Sequence, residues 1–385
     1  MSQTQQGGPY PQSVATEEVI NFGLGQPSPS LLPLNLIARG ANQLAGEDPL
    51  LLQYGRGSGP RPFLEALAGF LTAGYGSTVT ADDLAVTAGT SMALGLVSQI
   101  LARSGDRVVC GDPTYFLAHG VFASQGLRAV GVPVDDGGLD TDALEALLDS
   151  DGPIAFVYCI PSFQNPSGTC LRPERARRLV ELAERYDFVI VADEPYLLLP
   201  FEAAPPCLMS YDEGRGRVLS LGTFSKILAP GLRLGWIHAH PALIARFLNH
   251  GVLRSGGSLN PIVTRIVQTT LEDGSLTENI SMLRQVLKNR SIRLSRALDA
   301  AGLRHQPPRG GYFTWVDLGM GADSTSLLER CRTQHGVAFC PGERCAVSED
   351  LRRYVRLSFA FYTEEELEEG VDRLVQGLRG SETGK

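Results

Sequence analysis

Between residues 60 and 240, short apolar runs alternate with stretches whose apolar positions recur at helical spacing. Pro60 and Pro62 open the first such stretch, in which Phe63, Leu64, Leu67, Phe70 and Leu71 share one face. The runs predict strands at 84–87, 107–110, 129–134, 154–160 and 188–192, with helices at 90–102, 115–125, 141–148 and 173–186 between them. Strand pieces follow at 218–221 and 232–239. Alternation of this kind builds a largely parallel sheet covered by helices, an α/β fold. Ligands on such sheets collect at the carboxyl ends of the strands. Past residue 240 the rhythm changes: helical spacing runs to about residue 301, with a long helix from 277, and strand-like runs return at 311–318, 337–340 and 354–360. A last helix starts near Thr363, where Thr363-Glu364-Glu365-Glu366 has the spacing of a capping box. This second part reads as α+β. The expected organisation is a flexible lead-in at 1–20, a large domain at 21–255 and a small C-terminal domain at 256–385, with a frayed tail at 381–385.

Length supports the division, because 385 residues exceed the size at which one core stops growing. Apolar content of 43% and charged content of 20% are those of an ordinary globular protein. A net charge of −8 argues against a broad nucleic-acid footprint. No apolar run approaches the roughly 20 residues of a membrane helix, and the polar N-terminus lacks the pattern of a signal peptide. The seven cysteines form no CxxC pair and several sit in apolar runs, so they read as buried free thiols in a cytoplasmic protein. No metal site is expected: His238 and His240 alternate along one run, but no third ligand accompanies them.

Candidate chemistry centres on one stretch, Ser220-Leu-Gly-Thr-Phe-Ser-Lys-Ile-Leu-Ala-Pro-Gly-Leu-Arg-Leu-Gly-Trp236. The chain has 34 basic residues, and its only lysines are Lys226, Lys288 and Lys385. Arginine serves wherever charge suffices, so a lysine kept here points to something arginine cannot do: lose a proton and attack a carbonyl. A solvated lysine at the mouth of a hairpin is the plain alternative. Other polar residues follow strand ends. Gly89-Thr90-Ser91 opens a helix and suits a phosphate, or is an ordinary N-cap. Tyr115 can stack on a flat ring, or simply pack. Asn165-Pro166 is a turn whose amide can reach a phenolic oxygen. The run Val189-Ile-Val-Ala-Asp193-Glu194 carries an apolar strand straight into two carboxylates, and an acid placed there is costly unless it pairs or ligates. Under a pyridine nitrogen it would keep the ring protonated as an electron sink.

Together these residues specify one ligand. It has a phosphate (Gly89, Thr90, Ser91, Thr223, Ser225, Arg233), an aromatic ring (Tyr115), a phenolic oxygen (Asn165, Tyr196), a ring nitrogen (Asp193) and an aldehyde (Lys226). That ligand is pyridoxal 5′-phosphate. The motifs TAGTSMAL, GDPTYF, PSFQNPSG, VADEPY, SLGTFSKILAPGLRLGW, PRGGYFTW and YVRLSFA, in this order, resemble the class I/II, fold-type I aminotransferases. The nearest branch is the 2-aminoadipate and kynurenine aminotransferase group, and the resemblance spans about 20–378.

The resemblance implies a Schiff base at Lys226, with Asp193 and Tyr196 as further catalytic residues, and ping-pong transfer of an amino group between an L-amino acid and a 2-oxo acid. It implies a homodimer in which Tyr54 reaches the partner's cofactor phosphate, and it places the N-terminal segment of the large domain near the small domain. Gly25 and Asn165 would lie beside the substrate, and Arg356 would bind its α-carboxylate through a two-pronged contact. One departure stands out. Aminoadipate-type members read acidic side chains partly through an arginine in an N-terminal helical segment, whereas the first basic residue here is Arg39. An elimination or replacement enzyme would use the same cofactor residues. A regulator's binding module would carry a winged-helix domain, for which the 20 or so polar residues before Ile20 leave no room.

Overall fold

The structure is a computed structural model that describes residues 18–257 and 259–379. Most of the expected lead-in and the whole expected tail lie outside the described residues. In chain order the strands are β1 (Ile20–Asn21), β2 (Leu84–Thr87), β3 (Arg107–Asp112), β4 (Arg128–Asp135), β5 (Gly138–Leu139), β6 (Phe156–Cys159), β7 (Val189–Asp193), β8 (Val218–Thr223), β9 (Gly235–Ala239), β10 (Arg304–His305), β11 (Phe313–Asp317), β12 (Val337–Ala338), β13 (Cys340–Pro341) and β14 (Tyr354–Ser358). The helices are α1 (Leu34–Gln43), α2 (Arg61–Tyr75), α3 (Thr90–Leu101), α4 (Phe116–Ser124), α5 (Thr141–Asp151), α6 (Pro173–Arg185), α7 (Pro241–Leu248), α8 (Gly251–Gly256), α9 (Pro261–Glu272), α10 (Ser275–Ala300), α11 (Ser324–His335) and α12 (Glu364–Arg379).

An eight-stranded sheet runs β2-β9-β8-β7-β6-β3-β4-β5. Its centre is parallel, while β9 runs against both neighbours and β5 against β4. Every residue of β6, β7 and β8 is buried, as expected of strands covered on both faces. Successive residues serve opposite faces. Val108 packs with α3, α4 and α7 through Val97, Phe122 and Phe247, and Val109 packs with α5 and α6 through Leu144 and Leu179.

A four-stranded antiparallel sheet, β10-β11-β14-β13, packs with α10 and α12. The run read as one strand at 337–340 is divided between two sheets. Val337–Ala338 pairs in parallel with β1, and Cys340 lies opposite Arg356 of β14. Phe339, buried between them, is where the chain passes from one sheet to the other. The piece read at 232–239 begins only at Gly235, because Pro230–Leu232 form a turn and Arg233 takes a left-handed conformation at φ 47°. The capping box at Thr363 forms in both directions, with Glu366 Oε2 accepting from Thr363 N and Thr363 Oγ1 accepting from Glu366 N.

One contact ties the large sheet to the loop before β14 of the small one. Asp112, the last residue of β3, accepts hydrogen bonds from Val347 N, Ser348 N, Ser348 Oγ and Glu349 N in the loop before β14. Thr114 N donates to Cys345 O beside it, at 2.9 Å.

Candidate active site

The loop between β8 and β9 carries Lys226. Its backbone is held from two sides: Tyr312 Oη donates to Lys226 O at 2.9 Å, and Asn279 Nδ2 donates to Ile227 O at 2.9 Å. The half-buried side chain extends toward Gly25, whose carbonyl accepts from Nζ at 2.5 Å. Enclosure lowers the ammonium pKa to about 8, and Arg356 adds to the effect while Asp193 opposes it. The residue therefore gives up its proton more readily than a solvated lysine would.

Asp193 closes β7. Its Oδ2 accepts from Tyr158 Oη at 2.8 Å, whereas its Oδ1 is buried with no partner among the described residues. Burial raises its pKa to about 6, against the opposing pull of Tyr158 and Lys226. Glu194 turns away from the site. It accepts from Ser220 Oγ at 2.5 Å and Leu208 N at 3.0 Å, and burial raises its pKa to about 7. Of the adjacent carboxylates, only Asp193 faces the cavity.

Arg356 stands in the middle of β14 and is 1% exposed. Its Nη1 donates to Asn165 Oδ1 and its Nη2 to Gly23 O, both at 2.9 Å, and its buried Nε has no partner among the described residues. The guanidinium carbon lies 4.1 Å from the centroid of Phe313 and 5.5 Å from that of Phe116. A glycine at 25 keeps this corner open, since a Cβ there would stand 3.3 Å from the Phe313 ring.

A second basic corner forms where α3 begins. Gly89 has φ 89°, and a Cβ on it would lie 2.7 Å from Arg233 Nη2. Arg233 donates to the carbonyls of Pro230 and Ala88 at 3.3 and 3.4 Å, and no carboxylate pairs with it among the described residues. A guanidinium set against the positive end of a helix, with no carboxylate paired to it among the described residues, suits an anion. Thr223 and Ser225 are buried nearby in the chain, with Thr223 Oγ1 donating to Ser225 Oγ at 3.0 Å.

Gly25, Thr90, Tyr115, Asn165, Asp193, Tyr196, Lys226 and Arg356, all singled out in the sequence, line one cavity. Gly89, Ser91, Thr223, Ser225 and Arg233 are not part of that lining, and Ser91 is exposed. Tyr54 stands on the surface, 86% exposed. The structure adds Phe116, Leu117, Ile160, Pro195 and Phe313 to the walls and Tyr158 beneath Asp193. Phe116 and Phe313 lie inside the quoted motifs, but no sequence signal distinguishes Tyr158 from its buried neighbours in β6. Among the described residues no group of His, Cys, Asp and Glu is placed to hold a metal ion.

Comparison with known proteins gives the arrangement a family. The model of the family "Aminotransferase class I and II" matches residues 17–374. The aromatic-amino-acid aminotransferase 1 of Thermococcus litoralis is 34% identical over 95% of this chain and 89% of its own. The 2-aminoadipate transaminase of Thermus thermophilus is 32% identical over 94% and 90%. A crystal structure of the kynurenine aminotransferase of Pyrococcus horikoshii, in complex with PMP, the amine form of pyridoxal 5′-phosphate, superposes with a TM-score of 0.88 at 32% identity, covering 95% of this chain and 92% of that one. Pyridoxal 5′-phosphate fits what the site leaves unsatisfied: an Asp193 oxygen without a partner among the described residues for a protonated ring nitrogen, an anion corner for a phosphate, and an amine of lowered pKa for an aldehyde. The chain belongs to the class I and II aminotransferases of fold type I, with pyridoxal 5′-phosphate as cofactor.

Proposed function

We propose that Lys226, Asp193, Tyr196, Asn165 and Arg356 are the working residues of the amino-group transfer, and that the preferred donor is an L-amino acid with an apolar or aromatic side chain. The observation that carries this reading is a single cavity in which a lysine of lowered pKa faces both a carboxylate with a bare oxygen and a guanidinium packed on aromatic rings. When bound, the cofactor supplies an aldehyde that carries the amino group and a ring that takes up charge from the substrate's Cα. Lys226 would hold it covalently, and its Nζ would move the proton at substrate Cα. Asp193 Oδ1 would keep a proton on the ring nitrogen. Tyr196 and Asn165 would donate to the ring oxygen, and Tyr115 would stack on the ring. Gly89, Thr90, Ser91, Thr223, Ser225 and Arg233 would receive the phosphate. Arg356 would take the α-carboxylate, with Gly25 leaving room beside it.

The side-chain preference is supported by the walls, which are Phe116, Leu117, Ile160 and Phe313. Among the described residues of the N-terminal segment, Arg39 is not part of the cavity lining and pairs instead with Asp273 at 2.6 Å. A homodimer is supported by exposed Leu34, Leu50, Leu52 and Tyr54, which a second copy would cover while Tyr54 reaches the partner's phosphate. A cytoplasmic setting is supported by seven buried, unpaired cysteines.

Titrating the holoenzyme with a panel of amino acids while following visible absorbance tests the reading. Apolar and aromatic donors should convert the chromophore to the amine form at lower concentration than acidic ones. Lys226→Ala should bind the cofactor without a covalent link and lose turnover by more than about a thousandfold. A variant that retained turnover would remove Lys226 from the mechanism.

A further inference from the structure

We propose that Tyr158 is a positioning residue for the transfer reaction: it turns the Asp193 carboxylate so that a single oxygen faces the cofactor ring, and it keeps that carboxylate ionised. The proposal rests on the reading that Asp193 meets the ring nitrogen.

The geometry leaves Tyr158 little else to do. It lies in β6, opposite Val191 of β7 and two residues short of Asp193 along the neighbouring strand. Its side chain is fully buried. The ring stands edge-on to buried Phe122, with centroids 5.5 Å apart and planes at 76°, so it is fixed in place. Its hydroxyl donates to Asp193 Oδ2 at 2.8 Å. Burial first, and then the neighbouring Asp193 charge, push the phenol's pKa well above its ordinary value, so Tyr158 stays a donor. Asp193 consequently offers its two oxygens unequally. Oδ2 is occupied, and Oδ1 is buried with no partner among the described residues, in a side chain that lines the cavity.

This asymmetry matters for where a proton rests. A buried carboxylate resists ionisation, and a hydrogen bond to its charged form counters that resistance. If the donor is removed, Asp193 competes more strongly for the proton it should leave on the ring nitrogen. A proton moved onto Asp193 leaves a neutral ring, which draws charge from Cα less well. Arg356 and the substrate carboxylate play no part in this balance, so substrate binding is expected to be spared.

The test is a double-mutant cycle on the holoenzyme using Tyr158→Phe, Asp193→Asn and the double variant. Phe keeps the packing on Phe122 and removes one oxygen. In the native background, Tyr158→Phe should lower kcat by about ten- to a hundredfold, leave KM within about twofold and weaken cofactor affinity by about tenfold. It should also shift the pH profile of the bound cofactor's absorbance. In the Asp193→Asn background the same change should cost less than about twofold in kcat and cofactor affinity. If Tyr158→Phe lowers the apo unfolding temperature, the double variant, which lacks the buried anion, should recover it. Equal losses in both backgrounds, or an unchanged absorbance profile in Tyr158→Phe, would overturn the proposal. If Asp193→Asn itself leaves cofactor affinity, absorbance and kcat unchanged, the assignment of Asp193 falls, and this inference falls with it.

Discussion

An enclosed carboxylate with one bare oxygen is costly to fold around, and Asp193 is such a group. Burial raises its folded-state pKa from the ordinary 3.8 to about 6. Between these values the folded chain binds a proton that the unfolded chain has already lost, so stability falls as pH rises through that window. Above about pH 6 the full cost is present. Asp193→Asn cannot titrate and escapes the cost. The apo form of this variant should therefore be more stable than the native apo protein by about 3 kcal/mol at pH 7, with the advantage vanishing below about pH 4. Urea unfolding of the two apo proteins at both pH values measures this. A variant that is no more stable at neutral pH would mean that the bare oxygen finds a partner in solution. If Asp193 meets the ring nitrogen as proposed, the gain in stability comes with a loss of function, since Asn offers that nitrogen no charge.

At the next scale, α3 owes its use to the residue just before it. Gly89 takes φ 89°, and a Cβ there would press on Arg233. Gly89→Ala should displace that guanidinium from the helix end, weakening cofactor affinity about tenfold and costing about 1 kcal/mol of stability. Titration of the apo variant with cofactor, alongside its unfolding curve, separates the two effects. Elements of this kind were the legible ones. The glycine, the hydroxyls and the strand before them are contiguous, as are the strand into Asp193 and the capping box at Thr363, so local pattern suffices to find them. What sequence could not reach depends on neighbours distant in the chain. Tyr158 differs from Cys159 only in which face of the sheet it serves, and its partner is on another strand. The run at 337–340 has the composition of one strand but two different partners, one near each end of the chain. Tyr54 stands on the surface of this chain, and its expected role needs a second copy to complete it.

For the molecule as a whole, the substrate corner depends on how two sheets face each other. Asp193 ends a strand of the large sheet, Lys226 lies on a loop between two of its strands, Arg356 belongs to the small sheet, and Asp112 accepts four hydrogen bonds from the loop that leads into β14. Asp112→Asn keeps the shape but surrenders some of those bonds. It should raise KM for the amino acid by about tenfold while changing cofactor affinity less than about twofold, because the residues proposed for the phosphate lie on the large sheet and on the helix and loop that follow its strands. Steady-state kinetics and a cofactor titration on the same preparation check it, and an equal loss in both would mean that Asp112 supports the cofactor loop instead. The pairing of Ile20 with Val337 has a different consequence, one of timing. It brings Gly23 and Gly25, met early in the chain, to Arg356 and Lys226. Contacts between such distant segments form slowly, because the entropy of closing the loop is lost before they are made. During synthesis the large sheet and Lys226 emerge long before β14, so the amine is present while Arg356, the proposed anchor of the substrate, is still missing. Cofactor capture and substrate turnover should therefore mature at separate moments in folding, the first when a strand and a loop are in place, the second only when the two ends of the chain have met.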